Sequence, residues 1–175
     1  LAALPFKFGF KFVFWSNIFC WLLKKLFCKN KGCCCGLIIL LYCASVNDEV
    51  IHGIPSKKVV LKEGDIISID LVTYKDGFNG DAARTYIVGQ GSNEDKKLLE
   101  VTKQAFFEGI KYAKKGNRVG DISNAIGKYI ESNGFSIVKE FQGHGIGRSM
   151  HEDPSVPNVG RKGTGMRLKA GMTIC

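Results

Sequence analysis

The chain has 175 residues, 45% of them hydrophobic, seven cysteines and a formal net charge of +9, a length that supports one domain with a sizeable core. The charge is unevenly spread: residues 1–47 carry six lysines and no acid, while the other 128 hold 19 basic and 16 acidic side chains. Most of the chain therefore carries only a small basic excess and no obvious basic patch for phosphates, which argues against nucleic acid as a specific partner.

The first segment stands apart. Residues 1–47 hold both tryptophans and seven of the twelve phenylalanines. Cys20, Cys28, Cys33, Cys34, Cys35 and Cys43 cluster there, and only Cys175 lies elsewhere. Their spacing matches no four-ligand zinc pattern, and the rest of the chain offers too few thiols for a disulfide scaffold. The apolar run from Phe12 to Leu23, backed by Lys24 and Lys25, is shorter than the roughly 17–25 residues of a spanning helix. No small-residue cleavage site follows it. Runs of Phe, Lys, Leu, Asn and Cys are what out-of-frame translation of AT-rich DNA gives, and that reading is preferred to a membrane anchor. Residues 1–42 are thus expected to be foreign to a domain spanning 43–175.

From Ser45 onward the pattern is that of a well-ordered mixed protein. A strand is expected from Ile66 to Tyr74, a two-residue turn at Asp76–Gly77, and a return strand from Ala82 to Val88. Ser92 or Asn93 caps a helix running to about Lys115, with Leu98, Leu99, Ala105, Phe106, Ile110 and Ala113 inward and Gly116 ending it. A second helix follows Asp121, with an apolar stripe of Ile122, Ala125, Ile126, Tyr129 and Ile130 and a stop at Asn133–Gly134. Phe135 to Glu140 reads as a strand leading into the glycine-rich turn GHGIG.

Two carboxylates fall on one face of the hairpin. If Asp76 and Gly77 form the turn, Lys75 opposes Phe78 and Val72 faces Asp81. Asp70 shares the face of Val72 because strand side chains alternate. Asp70 and Asp81 are then diagonal neighbours about 7–8 Å apart, and such a pair repels unless a cation lies between. His144 lies between Gly143 and Gly145, which exclude a helix and allow close backbone approach. Two hard oxygens and one imidazole suit Mn, Fe(II), Co or Zn rather than calcium. His52 and His151 are the remaining histidines. Each is able to hydrogen-bond a substrate or a tetrahedral intermediate, and each reads equally well as a surface residue.

The segments SVNDEVIHGIPS, LKEGDIISIDLVTYKDGFNGDAARTYIVG, GHGIGRSMHEDPSVPN and LKAGMTI resemble the type I methionine aminopeptidases, in matching order and spacing from about Cys43 to the end. The resemblance implies an α+β pita-bread fold of the creatinase/aminopeptidase type around two divalent metal ions (Co, Fe(II), Mn or Zn). It implies hydrolytic removal of the initiator methionine when the second residue is small, on nascent polypeptide N-termini, by a cytoplasmic monomer with ribosome association. By the same resemblance Asp70 binds one metal, Asp81 bridges both and His144 binds the other. His52 and His151 would contact the scissile amide and serve catalysis. Two further glutamate ligands of the family fall beyond Cys175, so the 175 residues carry three of five ligands. They are expected to form an incomplete pita-bread fold, to fold poorly and to lack useful activity. A prolidase or aminopeptidase P-like X-Pro hydrolase shares the DxxxxxxxxxxD and GHGxG signatures; HGIPS and GRSMHEDPSVPN favour the methionine enzymes. A non-catalytic pita-bread binding protein predicts eroded ligands, which is not the pattern here.

Overall fold

The computed structural model describes Ala3–Leu4 and residues 39–175. The reading of residues 1–42 as a foreign segment falls largely outside the described residues. Its described parts are strand β1 (Ala3–Leu4) and the start of strand β2 (Ile39–Val46). β2 runs antiparallel to β3 (Ile66–Lys75), pairing from Ile39↔Tyr74 to Val46↔Ile67.

β3 and β4 (Phe78–Ile87) form the expected hairpin, with Lys75 opposite Phe78 and Val72 opposite Asp81. Asp76 and Gly77 both have positive φ, at 52° and 84°, the conformation a two-residue turn needs to match strand twist. β4 starts four residues earlier than expected because the ladder resumes directly after the turn. Asn79, Gly80 and Asp81 have low strand propensity, but cross-strand pairing overrides it. Ser68 and Thr85 hydroxyls hydrogen-bond across the pair at 2.8 Å.

Helix α1 spans Asn93–Ile110. Ser92 Oγ accepts the Asp95 N–H at 3.1 Å and Asp95 Oδ2 accepts the Ser92 N–H at 2.9 Å, a reciprocal cap that fixes the entry. The helix ends before Lys115 because its exit tightens. The Tyr112 and Ala113 N–H groups donate three residues back, to Gly109 and Ile110 carbonyls, and Asn117 Nδ2 takes the Tyr112 carbonyl at 2.9 Å. Helix α2 spans Val119–Ser132, so Asp121 lies inside its first turn rather than ahead of it. Its Oδ2 accepts the Arg118 N–H at 2.7 Å. Gly134, with φ 84°, follows the stop at Asn133.

The strand expected over Phe135–Glu140 shrinks to β5 (Ser136–Ile137), paired parallel with β1. β6 (Gln142–Gly145) and β7 (Glu152–Pro157) form a second antiparallel pair with an irregularity at His144/Gly145. Ile122, Ile126 and Ile130 of α2 centre the core, against Leu98 and Ala105 of α1, Val156 of β7, Leu168 and Ile174. Each buried isoleucine contributes roughly 1.5–3 kcal/mol. This core holds α2 against β7 and so fixes the β6–β7 pair.

Candidate metal centre

The β3–β4 ladder places Asp70 opposite Ala83 and Asp81 opposite Val72, which makes the two carboxylates diagonal neighbours on one face. Both are partly buried. They line a cleft of about 850 Å³, together with His52, His144 and His151.

His144 is held from both sides. A Cβ on Gly143 would lie 2.1 Å from the Cys175 carbonyl oxygen, and one on Gly145 would lie 2.1 Å from that of Asp153. Only glycine lets the neighbouring backbones come this close. The His144 N–H donates to the Cys175 carbonyl at 2.7 Å and the Cys175 N–H donates to that of His144 at 2.8 Å. Residues that exchange both bonds stand directly opposite, with their side chains on the same face. The Thr173 hydroxyl donates to the Ile146 carbonyl and extends this pairing.

The backbone favours one tautomer of the imidazole. Nδ1 lies 2.8 Å from the Gly145 carbonyl oxygen, which only accepts, so Nδ1 carries the proton. In the neutral ring this leaves the lone pair on Nε2, which lies 3.8 Å from Asp81 Oδ2. A backbone carbonyl on the far nitrogen is the usual support of a metal-binding histidine. Asn79, two residues before Asp81, joins the two halves of the site. Its N–H donates to the Gly147 carbonyl at 2.7 Å, and its Nδ2 donates to the Gly147 and Arg148 carbonyls at 3.2 and 2.9 Å.

Cys175 completes a cluster. One ligand atom each from Asp81, His144 and Cys175 lie within 4.8 Å of one another, and Cys175 Sγ is 3.4 Å from Nδ1 and 3.5 Å from Nε2 of His144. Burial, with the carboxylates of Asp81 and Asp70, pushes the free thiol up to about 12. That is opposite to the depressed pKa of a cysteine nucleophile paired with histidine, which argues against thiol catalysis.

Asp70 lines the same cleft but stands outside that three-donor cluster. His151 stacks beside His144, ring centroids 4.2 Å apart. Burial, then the neighbouring His144 and His52, lower its pKa. His52 is exposed, with φ 57°. Its loop is tied to β2 by the Gly53 N–H on Ser45 Oγ at 3.1 Å and the Ala44 N–H on the Gly53 carbonyl at 2.9 Å. Cys175 and Asn79 are the members that sequence reasoning missed. Cys175 reaches the site only through pairing with a residue 31 positions away, a signal no local pattern carries.

Hairpin carboxylates and a histidine in a shared cleft form a candidate metal centre, and the model of metallopeptidase family M24 matches residues 19–175. The chain belongs to that family. It is 54% identical over 132 residues to a methionine aminopeptidase of Clostridium acetobutylicum and 51% identical over 132 residues to methionine aminopeptidase 1 of Bacillus subtilis. Each comparison covers 75% of this chain and 53% of the relative. The crystal structure of methionine aminopeptidase from Thermotoga maritima superposes with a TM-score of 0.75 at 48% identity, over 76% of this chain and 53% of that one. A prolidase from Pyrococcus furiosus gives a TM-score of 0.67 at 24% identity, over 76% of this chain and 39% of that one, and bears on the fold alone. The fold is the pita-bread fold, and the chain spans about half the length of the curated relatives it matches. Among the described residues no helix is long and apolar enough to cross a membrane.

Proposed function

We propose that this chain supplies the metal-binding half of a methionine aminopeptidase, which removes the initiator methionine from nascent polypeptides whose second residue is small. The convergence of Asp81 Oδ2 and His144 Nε2 at 3.8 Å in one cleft carries this reading. The 54% identity over 132 residues to an enzyme of that name supports it. Asp70, Asp81 and His144 would hold two divalent ions, which when bound supply hydroxide near neutral pH and Lewis acidity toward a carbonyl. His151, beside His144, would donate a hydrogen bond to a carbonyl that gains negative charge. His52, which lines the same cleft, would contact the scissile amide. The proposed setting is the cytoplasm, with the protein acting as a monomer on chains emerging from the ribosome.

The resemblance implies two glutamate ligands that are not among these 175 residues, so residues 1–175 alone are expected to release no methionine. Measurable hydrolysis of a methionyl peptide by residues 1–175 would overturn that part. The function itself is tested with a chimera in which residues 43–175 replace the matching part of the Clostridium acetobutylicum relative. Methionine release from Met-Ala peptides, with X-Pro peptides untouched, is the expected result. Cleavage of X-Pro peptides would assign a prolidase-like enzyme instead. A folded, metal-loaded chimera with neither activity would assign a binding protein.

A further inference from the structure

We propose that Asn79 is a positioning residue of the metal centre: its amide pins the β3–β4 hairpin to the turn after His144 and so sets the separation of Asp81 from His144. This rests on the reading that Asp81 and His144 hold a metal, and it gives a role to a side chain that does not itself bind the ion.

The strand geometry carries the argument. Asn79 opposes Tyr74 and Asp81 opposes Val72 on the β3–β4 ladder, so the two side chains, two residues apart on β4, project from one face. Hydrogen-bonded and non-hydrogen-bonded pairs alternate from the turn, which directs the Asn79 N–H away from β3. Among the described residues β4 is the edge of its sheet, and this outward N–H donates to the Gly147 carbonyl at 2.7 Å. Nδ2 of the partly buried side chain donates to the same carbonyl at 3.2 Å and to that of Arg148 at 2.9 Å. The stretch so held is pliable by itself, because Gly145 and Gly147 flank Ile146 and glycine restricts the backbone least. Three residues before Gly147, His144 Nε2 meets Asp81 Oδ2 at 3.8 Å. The hairpin thus touches the His144–Arg148 segment at the ligands and again at Asn79. Two residues of extended strand span roughly 6.6–6.8 Å, so a shift at Asn79 is carried to Asp81 with little loss. Arg148 also lies over the Phe78 ring, 5.3 Å from its centre, but this contact is at the exposed hairpin tip, where a cation over a ring contributes little.

The test is a calorimetric titration of the full 175-residue chain with cobalt(II), for wild type, N79L and R148A, with the Tm of each metal-free protein measured alongside. N79L keeps the branched shape of asparagine and removes its amide donors. It should bind cobalt about 10–100-fold more weakly than wild type, the loss that removing a ligand's supporting partner brings. R148A, which loses only the contact at the tip, should bind cobalt nearly as well as wild type. A lowered Tm in N79L with cobalt affinity unchanged would assign Asn79 to the stability of the hairpin alone and overturn the proposal. An equal loss of affinity in R148A would assign the effect to docking of the tip as a whole, and would overturn it too. Cobalt bound alike by wild type and N79L leaves the Asp81–His144 metal reading standing and removes Asn79 alone. No cobalt bound by wild type would overturn both. If N79L fails to fold by circular dichroism, N79A decides by the same comparison.

Discussion

The Gly145 carbonyl has no proton to give, and that single fact decides what His144 is able to do. With Nδ1 committed at 2.8 Å, Nε2 is left as a lone-pair donor 3.8 Å from Asp81 Oδ2. Replacing either ligand, in D81N or H144A, should weaken cobalt binding by more than the roughly 10–100-fold that loss of a supporting partner costs. Calorimetric titration measures this, and near-wild-type affinity in both variants would remove them from the centre. Asp121 gives a residue-scale prediction about stability. Its carboxylate accepts the Arg118 and Gly163 N–H groups at 2.7 and 2.8 Å, and these bonds hold its pKa below the usual value. A depressed folded pKa gives stability that is complete above the unfolded value near about 3.9 and is lost as pH falls through the folded one. D121N should therefore have a lower Tm than wild type at neutral pH, with the gap closing toward about pH 3. A gap that stays constant across that range would assign the loss to something other than the charge.

At the scale of elements, β6 does its work by being thin. Glycines at 143 and 145 let the Cys175 and Asp153 carbonyls come within 2.1 Å of where a methyl group would stand. G143A should part β6 from the 173–175 segment and abolish metal binding while the helical circular dichroism of α1 and α2 persists. Unchanged metal affinity in G143A would show that this close approach is dispensable. The β3–β4 hairpin was legible because a two-residue Asp-Gly turn sets register, and register sets which side chains share a face. Helix α2 was legible through the spacing of Ile122, Ile126 and Ile130, all buried in the core. The far end of α1 was not, because Asn117 reaches back to the Tyr112 carbonyl and competes with the next helical bond. Phe135–Glu140 misled for a related reason. Its alternation is local, but among the described residues only Ser136 and Ile137 find a partner strand.

At the scale of the molecule, the sequence marked the carboxylates and the histidine, and the fold decided which of them meet. Asp70 and Asp81 share a face through a short-range hairpin, so their relation was readable from residue spacing. Cys175 stands opposite His144 through pairing between distant segments, and Asn79 reaches Gly147 across 68 residues. Neither contact leaves a periodic trace. That long bridge also has a consequence in time. The donors on the hairpin and on β6 stay apart until a loop of this length closes, which is entropically costly and late. An ion that needs both sides finds no site in the folding transition state, so its stabilisation should appear in the unfolding rate alone. Stopped-flow refolding of the chain should run at the same speed with or without zinc, while unfolding slows; a metal-dependent folding limb would mean that Asn79 and Gly147 meet early.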